Sequence, residues 1–206
     1  MSAKIIDSFF TLAGPSEHEI KIKGSRFIAR GFPLKNELDA QKILEKIRKE
    51  EYSATHHCYA YTYGINDVKF KYSDDGEPSG TAGQPIFQSI TGRDLRNVIV
   101  VVIRYFGGTK LGTGGLTRAY AGAASEMLDK AGVVERLICD RLEFSIAFKY
   151  YDRLMRIINA EHFEIINQEF ADEVIMKLKI RKSKTSDFES HLIELTGGRV
   201  KIDKNG

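Results

Sequence analysis

The chain has 206 residues, 42% of them hydrophobic and 29% charged, with a formal net charge of +3. That is the length of one large domain or two small ones with an ordinary globular composition, and so weak a charge does not by itself mark a nucleic-acid protein. Two cysteines, Cys58 and Cys139, share no CxxC spacing, which argues against a disulfide framework and fits a reducing cytoplasm.

The N-terminus lacks the apolar core of a signal peptide. No apolar run approaches the roughly 20 residues that a membrane helix requires. Residues 1–15 read either as a frayed lead-in or as a docked arm. Glu19 to Lys23 and Arg26 to Phe32 flank Gly24-Ser25 and predict a hairpin. Asn36 to Glu50 predicts a helix: Leu38, Ile43, Leu44 and Ile47 mark one face, and Asn36 suits the N-cap. Tyr59, Tyr61 and Tyr63 alternate, so they share one face of a strand, with Lys69 to Tyr72 pairing beside it. Such a row serves either as a stacking platform for bases or as the cover of a helix. Residues 73–85 are turn chemistry throughout and concentrate the carboxylates of Asp74, Asp75 and Glu77. Gln84 to Arg93 predicts a short helix.

Val98 to Ile103 is an unbroken, β-branched apolar run and predicts a strand buried on both faces. It ends in Arg104-Tyr105-Phe106, followed by Gly107, Gly108, Gly112, Gly114 and Gly115. A helix is expected from Leu116 to Lys130. From Leu95 to Ser125 there is no acidic residue, while Arg96, Arg104, Lys110 and Arg118 are basic. Glycine-loop N–H groups and a helix N-terminus in a positive field favour an anion. A plain tight turn that needs glycine is the competing reading. Neither a Walker A loop nor a dinucleotide fingerprint is present.

Gly132 to Asp140 is the expected boundary, giving domains 1–134 and 135–206. Beyond it the order is strand, helix, strand, strand, helix, strand, ending with Arg199 to Ile202; this βαββαβ unit is ferredoxin-like. The first domain reads as an α+β two-layer arrangement. In the second, Lys177, Lys179, Arg181, Lys182 and Lys184 form either an RNA patch or a charged edge that discourages strand pairing.

His56 and His57 precede a strand and must point to opposite faces. One histidine with Asp74, Asp75 or Glu77 would suit Mg²⁺, Mn²⁺ or zinc, though the spacing matches no named motif. The alternative is that this acidic loop pairs with Arg104 and Arg118 and fixes the glycine loop. Arg104 ends the most buried strand, so its guanidinium needs a partner, and contact with Asp74, Asp75 or Glu77 is expected.

The segments Tyr72 to Ile86 (YSDDGEPSGTAGQPI) and Val100 to Gly112 (VVVIRYFGGTKLG) resemble the two signatures of the IMPACT family. The two-domain length is similar to its bacterial YigZ branch. The resemblance implies a first domain like domain 2 of ribosomal protein S five and a second like the ferredoxin-like C-terminal domain of elongation factor G. Residues matching the pattern include His56, Asp74, Asp75, Glu77, Pro78, Arg104 and Arg118, with the aromatics and glycines between. Eukaryotic members restrain activation of a stress kinase and carry an added RWD domain that has no counterpart in this sequence, so their role is not carried over. For the bacterial branch the family implies a nucleic-acid or ribosome role.

Two functions follow as expectations. One is a cytoplasmic protein binding RNA, the ribosome or a translation partner, and regulating translation. Its binding residues would be Arg104, Tyr105, Phe106, Gly107, Gly108, Lys110, Gly112, Gly114, Gly115 and Arg118, with His56, Tyr59 and Tyr61 as further candidates. The other is an enzyme acting on a phosphorylated or nucleotide ligand, with Asp74, Asp75 or Glu77 holding a metal or acting as base. No catalytic residue, metal, cofactor, membrane contact or oligomeric state is assigned.

Overall fold

The computed structural model describes residues 6–203. Residues 1–5, part of the lead-in considered above, lie outside that range. The chain divides into two compact units: residues 9–136, and residues 137–203 together with residues 6–8.

The first unit contains β1 (Ser8–Leu12), β2 (Ser16–Ile22), β3 (Ser25–Pro33), α1 (Glu37–Glu50), β4 (His56–Tyr63), β5 (Lys69–Ser73), α2 (Gly83–Thr91), β6 (Val98–Tyr105), α3 (Gly112–Lys130) and β7 (Val133–Leu137). Five strands form one sheet in the order β2-β3-β6-β4-β5, with antiparallel neighbours throughout. β6 is central, as its apolar run requires, and Val98 to Ile103 are fully buried. Alternation then sends the strand residues to two cores. Val98, Val100 and Val102 join Phe27, Cys58 and Ala60 beneath α2 and α3. Ile99, Val101 and Ile103 join Ile28, Tyr59 and Tyr61 beneath α1. Asn36 caps α1, its Oδ1 accepting from the Asp39 N–H at 3.0 Å. Ala119, Ala123 and Ala124 of α3 are fully buried, and their small size lets the helix lie close on the sheet. β1 and β7 pair as a separate two-stranded ribbon.

The helix α3 begins at Gly112, four residues before the expected Leu116. Glycine is a poor helix former, so this first turn leaves no helical pattern in the sequence. The consequence is that Gly114 and Gly115 belong to the helix rather than to the loop before it.

The second unit contains β8 (Cys139–Ile146), a 3₁₀ turn at Phe148–Tyr150, α4 (Tyr151–Glu161), β9 (Glu164–Phe170), β10 (Val174–Arg181), α5 (Lys182–Thr196) and β11 (Lys201–Asp203). Its sheet runs β11-β8-β10-β9, again antiparallel. Alternating Leu142, Phe144, Ile146 and Val174, Met176, Leu178 meet Leu154 and Ile158 of α4 and Phe188 and Leu192 of α5. The element order is the expected one. No helix among the described residues is long and apolar enough to cross a membrane.

Candidate functional site

Arg104 sits near the end of β6, on the same face as Val98, Val100 and Val102, so the strand aims it under α2 and α3. It is 5% exposed. Its Nη1 donates to Oε1 of Glu77 at 2.5 Å, and Nη2 donates to Oγ of Ser25 at 3.4 Å. The Tyr120 hydroxyl, from α3, donates to the same Oε1 at 2.8 Å. The guanidinium carbon lies 5.4 Å from the Phe27 ring centroid and 5.5 Å from that of Phe106. Its Nε–H has no hydrogen-bond partner among the described residues. One carboxylate therefore ties β6, α3 and the 74–82 loop together. A buried guanidinium without that carboxylate would carry an uncompensated desolvation cost.

The three carboxylates of the loop have three different fates. Asp74 accepts from the N–H groups of Gly80, Ala82 and Gly83 at 2.9, 2.9 and 2.8 Å. It thus caps α2, whose own N-cap residue, Ala82, has no side chain that can. Asp75 accepts from the His57 N–H at 2.6 Å and from Nη2 of Arg48 at 3.1 Å, which fastens the loop to α1. Only Glu77 turns inward to Arg104. Positive φ at Asp75 (42°) and Gly76 (88°) lets neighbouring carboxylates diverge in this way. The expected pairing with Arg118 does not form, because Glu77 is buried and Arg118 is exposed.

His56 stands opposite Arg104 on β4. Its Nδ1 donates to the Asp75 carbonyl oxygen at 2.8 Å, and its Nε2 lies 3.9 Å from Oε1 of Glu77. In the neutral ring that leaves Nε2 as the unprotonated nitrogen. Behind it, the Cys58 thiol donates to the Asp74 carbonyl oxygen at 3.0 Å. Burial pushes the Cys58 thiol well above its ordinary range, so it is a neutral thiol and no nucleophile. Burial, and then the neighbouring Cys58 and Glu77, raise the Tyr120 phenol far above the usual tyrosine value and keep it a hydrogen-bond donor. Among the described residues no three His, Cys, Asp or Glu side chains gather as a metal ion's ligand set.

The glycines act by different means. A Cβ placed on Gly107 would lie 1.9 Å from the carbonyl carbon of Gly24, so the β2–β3 turn and the glycine loop pass backbone to backbone. Ser25 Oγ accepts from the Gly107 N–H at 3.1 Å and pins that crossing. Gly108 and Gly112 have φ of +85° and +69° and face open space. The chain then enters α3, a helix of 19 residues with no side-chain N-cap and no acidic residue in its first turn. The N–H groups of a first turn have no intrahelical partner, and the helix dipole there favours negative charge. Lys110 and Arg118 flank this end, both exposed. Neither takes part in an ion pair among the described residues.

Three expected candidates lie elsewhere. Tyr59 and Tyr61 are 9% and 3% exposed on the α1 face. The hydroxyls of Tyr61 and Tyr63 donate to Glu37 at 2.8 and 3.0 Å. The row covers a helix and offers no free ring face to a base. Tyr105 also points to that side, its hydroxyl donating to Glu51 at 2.6 Å. Phe106, by contrast, is 48% exposed beside the glycine loop. Tyr120 and Ser25 escaped sequence reasoning. Tyr120 falls on the apolar face of α3, and the available signal was that a core tyrosine needs a partner for its hydroxyl.

The basic cluster of the second unit is largely neutralised. Lys177 pairs with Glu143 at 2.9 Å, Lys179 with Glu164 at 2.7 Å, Arg181 with Asp7 at 2.7 Å and Lys184 with Glu161 at 2.5 Å. Lys177, Lys179 and Arg181 lie on β10, an inner strand between β8 and β9, so the expected charged edge does not form there, and their ion pairs leave little charge free for phosphate.

Comparison with known proteins places both units. The Impact N-terminal domain matches residues 23–128, and a domain of unknown function, DUF1949, matches residues 145–199. The IMPACT family member YvyE of Bacillus subtilis (strain 168) is 38% identical over 198 residues, covering 96% of this chain and 91% of that protein. The IMPACT family member YigZ of Escherichia coli (strain K12) is 28% identical over 199 residues, covering 96% and 98%. A crystal structure described as that of a hypothetical protein superposes with a TM-score of 0.70 at 28% identity, covering 96% of this chain and 97% of that one.

Proposed function

The chain belongs to the IMPACT family, and from that premise we propose that it binds RNA in the cytoplasmic translation apparatus, holding backbone phosphates at the N-terminus of α3. One observation carries this reading. Asp74, Asp75 and Glu77 are all engaged by groups of the fold, whereas Lys110 and Arg118 have no ion pair among the described residues and flank a helix end without a side-chain cap. An anion arriving there meets N–H groups, a helix dipole and two cations, and the first turn of the helix has no acidic residue. In this reading Gly108 and Gly112 let a phosphate approach the backbone, Gly114 and Gly115 open the first turn, and Phe106 offers a ring beside it. Arg104 and Gly107 hold the loop in place from behind.

The fold supports the same direction. We read the βαββαβ order of the second unit as the ferredoxin-like domain of elongation factor G, and the first unit as the ribosomal protein S five domain 2 type. By the family resemblance both types occur in proteins of translation, and the first also in small-molecule kinases.

The test is fluorescence anisotropy with labelled single-stranded and structured RNA across a salt series, beside co-sedimentation with ribosomes. Binding should weaken steeply with salt, and Lys110→Glu/Arg118→Glu should abolish it without lowering the melting temperature. Salt-independent binding, or full binding by that variant, would remove the proposal.

A second reading rests on the imidazole of His56. With Nδ1 donating to the Asp75 carbonyl oxygen and Nε2 3.9 Å from Glu77, the neutral ring keeps an unprotonated nitrogen that can act as a base. On this reading a nucleotide or other phosphorylated small molecule should raise the melting temperature at millimolar concentration. The metal-holding role once open to Asp74 and Asp75 has no place in it, since both carboxylates are occupied by N–H donors and Arg48.

A further inference from the structure

The outer strands of the two main sheets are not alike. β2, β5 and β11 each carry lysine: Lys21, Lys69 with Lys71, and Lys201. β9 is the remaining outer strand, on the second unit's sheet, and among the described residues it pairs only with β10. It reads EIINQEF, with no lysine, arginine or proline, and every residue but Gln168 is exposed. An open edge presents a row of unpaired N–H and C=O groups, and lysine, proline or a covering element is the usual protection. The edge also has an apolar shoulder. Phe170 is 61% exposed and Phe148 51%, their ring centroids 6.2 Å apart, and Ile166 is 43% exposed. A strand left this open suits the addition of another strand.

The order of its side chains says which strand fits. Gln168 and Phe170 stand opposite Met176 and Val174 and so face the helices, whereas Asn167 and Glu169 stand opposite Lys177 and Ile175 on the open face. There Asn167 Nδ2 donates to Glu169 Oε1 at 2.9 Å. An antiparallel copy of β9 centred on Gln168 sets Ile166 opposite Phe170, Asn167 opposite Glu169 and Gln168 opposite itself. Apolar then meets apolar, an amide donor meets a carboxylate, and no like charges meet. The neighbouring registers fail. Centring on Glu169 sets that carboxylate against its own copy. Centring on Asn167 runs through the bulge at Ile166 and sets Ile165, which stands opposite buried Leu178, against Glu169 of the open face. A surface that complements itself about one axis is what a two-fold dimer requires. We infer that β9 pairs antiparallel with β9 of a second copy about Gln168, joining two four-stranded sheets into one. The inference concerns the second unit and does not depend on RNA.

The experiment is analytical ultracentrifugation of the full chain over a concentration series. Wild-type protein should show a monomer–dimer equilibrium. Asn167→Glu sets a carboxylate against Glu169 of the second copy on each side of the axis and should weaken the dimer about tenfold. Asn167→Lys puts the opposite charge at the same place and should tighten it by a similar factor. Asn167→Glu/Glu169→Lys exchanges the partners and should restore association. Both positions are exposed, so a melt of dilute protein should find the fold intact in all three. Gln168→Cys/Cys139→Ser should form a disulfide-linked dimer on mild oxidation, since directly opposed antiparallel residues have Cα atoms about 4.5–5.5 Å apart, within disulfide reach. A wild-type chain that stays monomeric up to about 1 mM overturns the inference. So does a dimer that the charge series leaves unchanged, or one that Asn167→Glu and Asn167→Lys weaken alike.

Discussion

Most of the second unit's basic cluster and the two cations beside the first unit's glycine loop are left in opposite states. In the second, Lys177, Lys179, Lys184 and Lys201 each meet a glutamate, and residues 138–206 contain 12 basic and 12 acidic residues. In the first, the acidic loop is drawn into the fold by backbone N–H groups, Arg48, Arg104 and Tyr120, and Lys110 and Arg118 have no ion pair among the described residues. The denser basic cluster is therefore the less available one. A phosphate-binding surface arises where carboxylates have been withdrawn, more than where lysines are numerous.

The largest effect should come from breaking the withdrawal itself. Glu77→Ala leaves Arg104 buried and unpaired and should cost about 3–5 kcal/mol in urea denaturation. Arg104→Ala should cost about 3 kcal/mol, and Arg104→Lys should restore only part, since an ammonium lacks the planar fork. The double change Glu77→Leu/Arg104→Met should recover most of the loss, because an apolar pair leaves no orphaned charge. A neutral Glu77→Ala would mean that the buried pair does not hold the two loops together.

Asp74→Ala comes next. It leaves three N–H groups without an acceptor at the start of α2 and should cost about 2 kcal/mol in the same experiment.

A smaller effect concerns acid. The hydrogen bond from Tyr105, ahead of the charge of Arg30, holds the Glu51 carboxyl below its ordinary range despite partial burial. A depressed carboxylate adds stability above its unfolded value, and that stability is lost as pH falls through the folded value. Tyr105→Phe should thus narrow the gap between melting temperatures at neutral pH and at acidic pH. An unchanged gap would show that Arg30 alone sets it.

The smallest effect belongs to the second unit. The side chains of Lys179 and Glu164 are 46% and 63% exposed, so Lys179→Ala should change stability by less than about 1 kcal/mol. A loss comparable to that of Glu77→Ala would erase the contrast between the units.

Much of this was readable in the chain, for identifiable reasons. The second unit's elements have clean periodicities, and the observed βαββαβ order follows from them. Arg104 could be expected to find a carboxylate because it ends a buried strand. Which carboxylate it finds depends on positive φ at Asp75 and Gly76, and on α2 needing Asp74 as its cap. Alternation put Tyr59 and Tyr61 on one face but could not say which face; the turn of α1 over the sheet decides that they are covered. The exposed stack formed instead by Phe70, Tyr72 and Phe87 joins a strand to a helix and has no single sequence period. The ribbon of β1 and β7 pairs segments from opposite ends of the first unit, so no local pattern announces it.

The most direct measurement is the salt slope of RNA affinity in matched double variants. Lys110→Ala/Arg118→Ala should flatten the plot of log K against log salt by about 1.4, two lost phosphate contacts at about 0.7 each on a single strand. Lys177→Ala/Lys179→Ala should leave the slope as in wild type. The reverse result, with the slope falling only in the second-unit variant, would place the phosphates on the cations that the structure pairs and contradict the comparison.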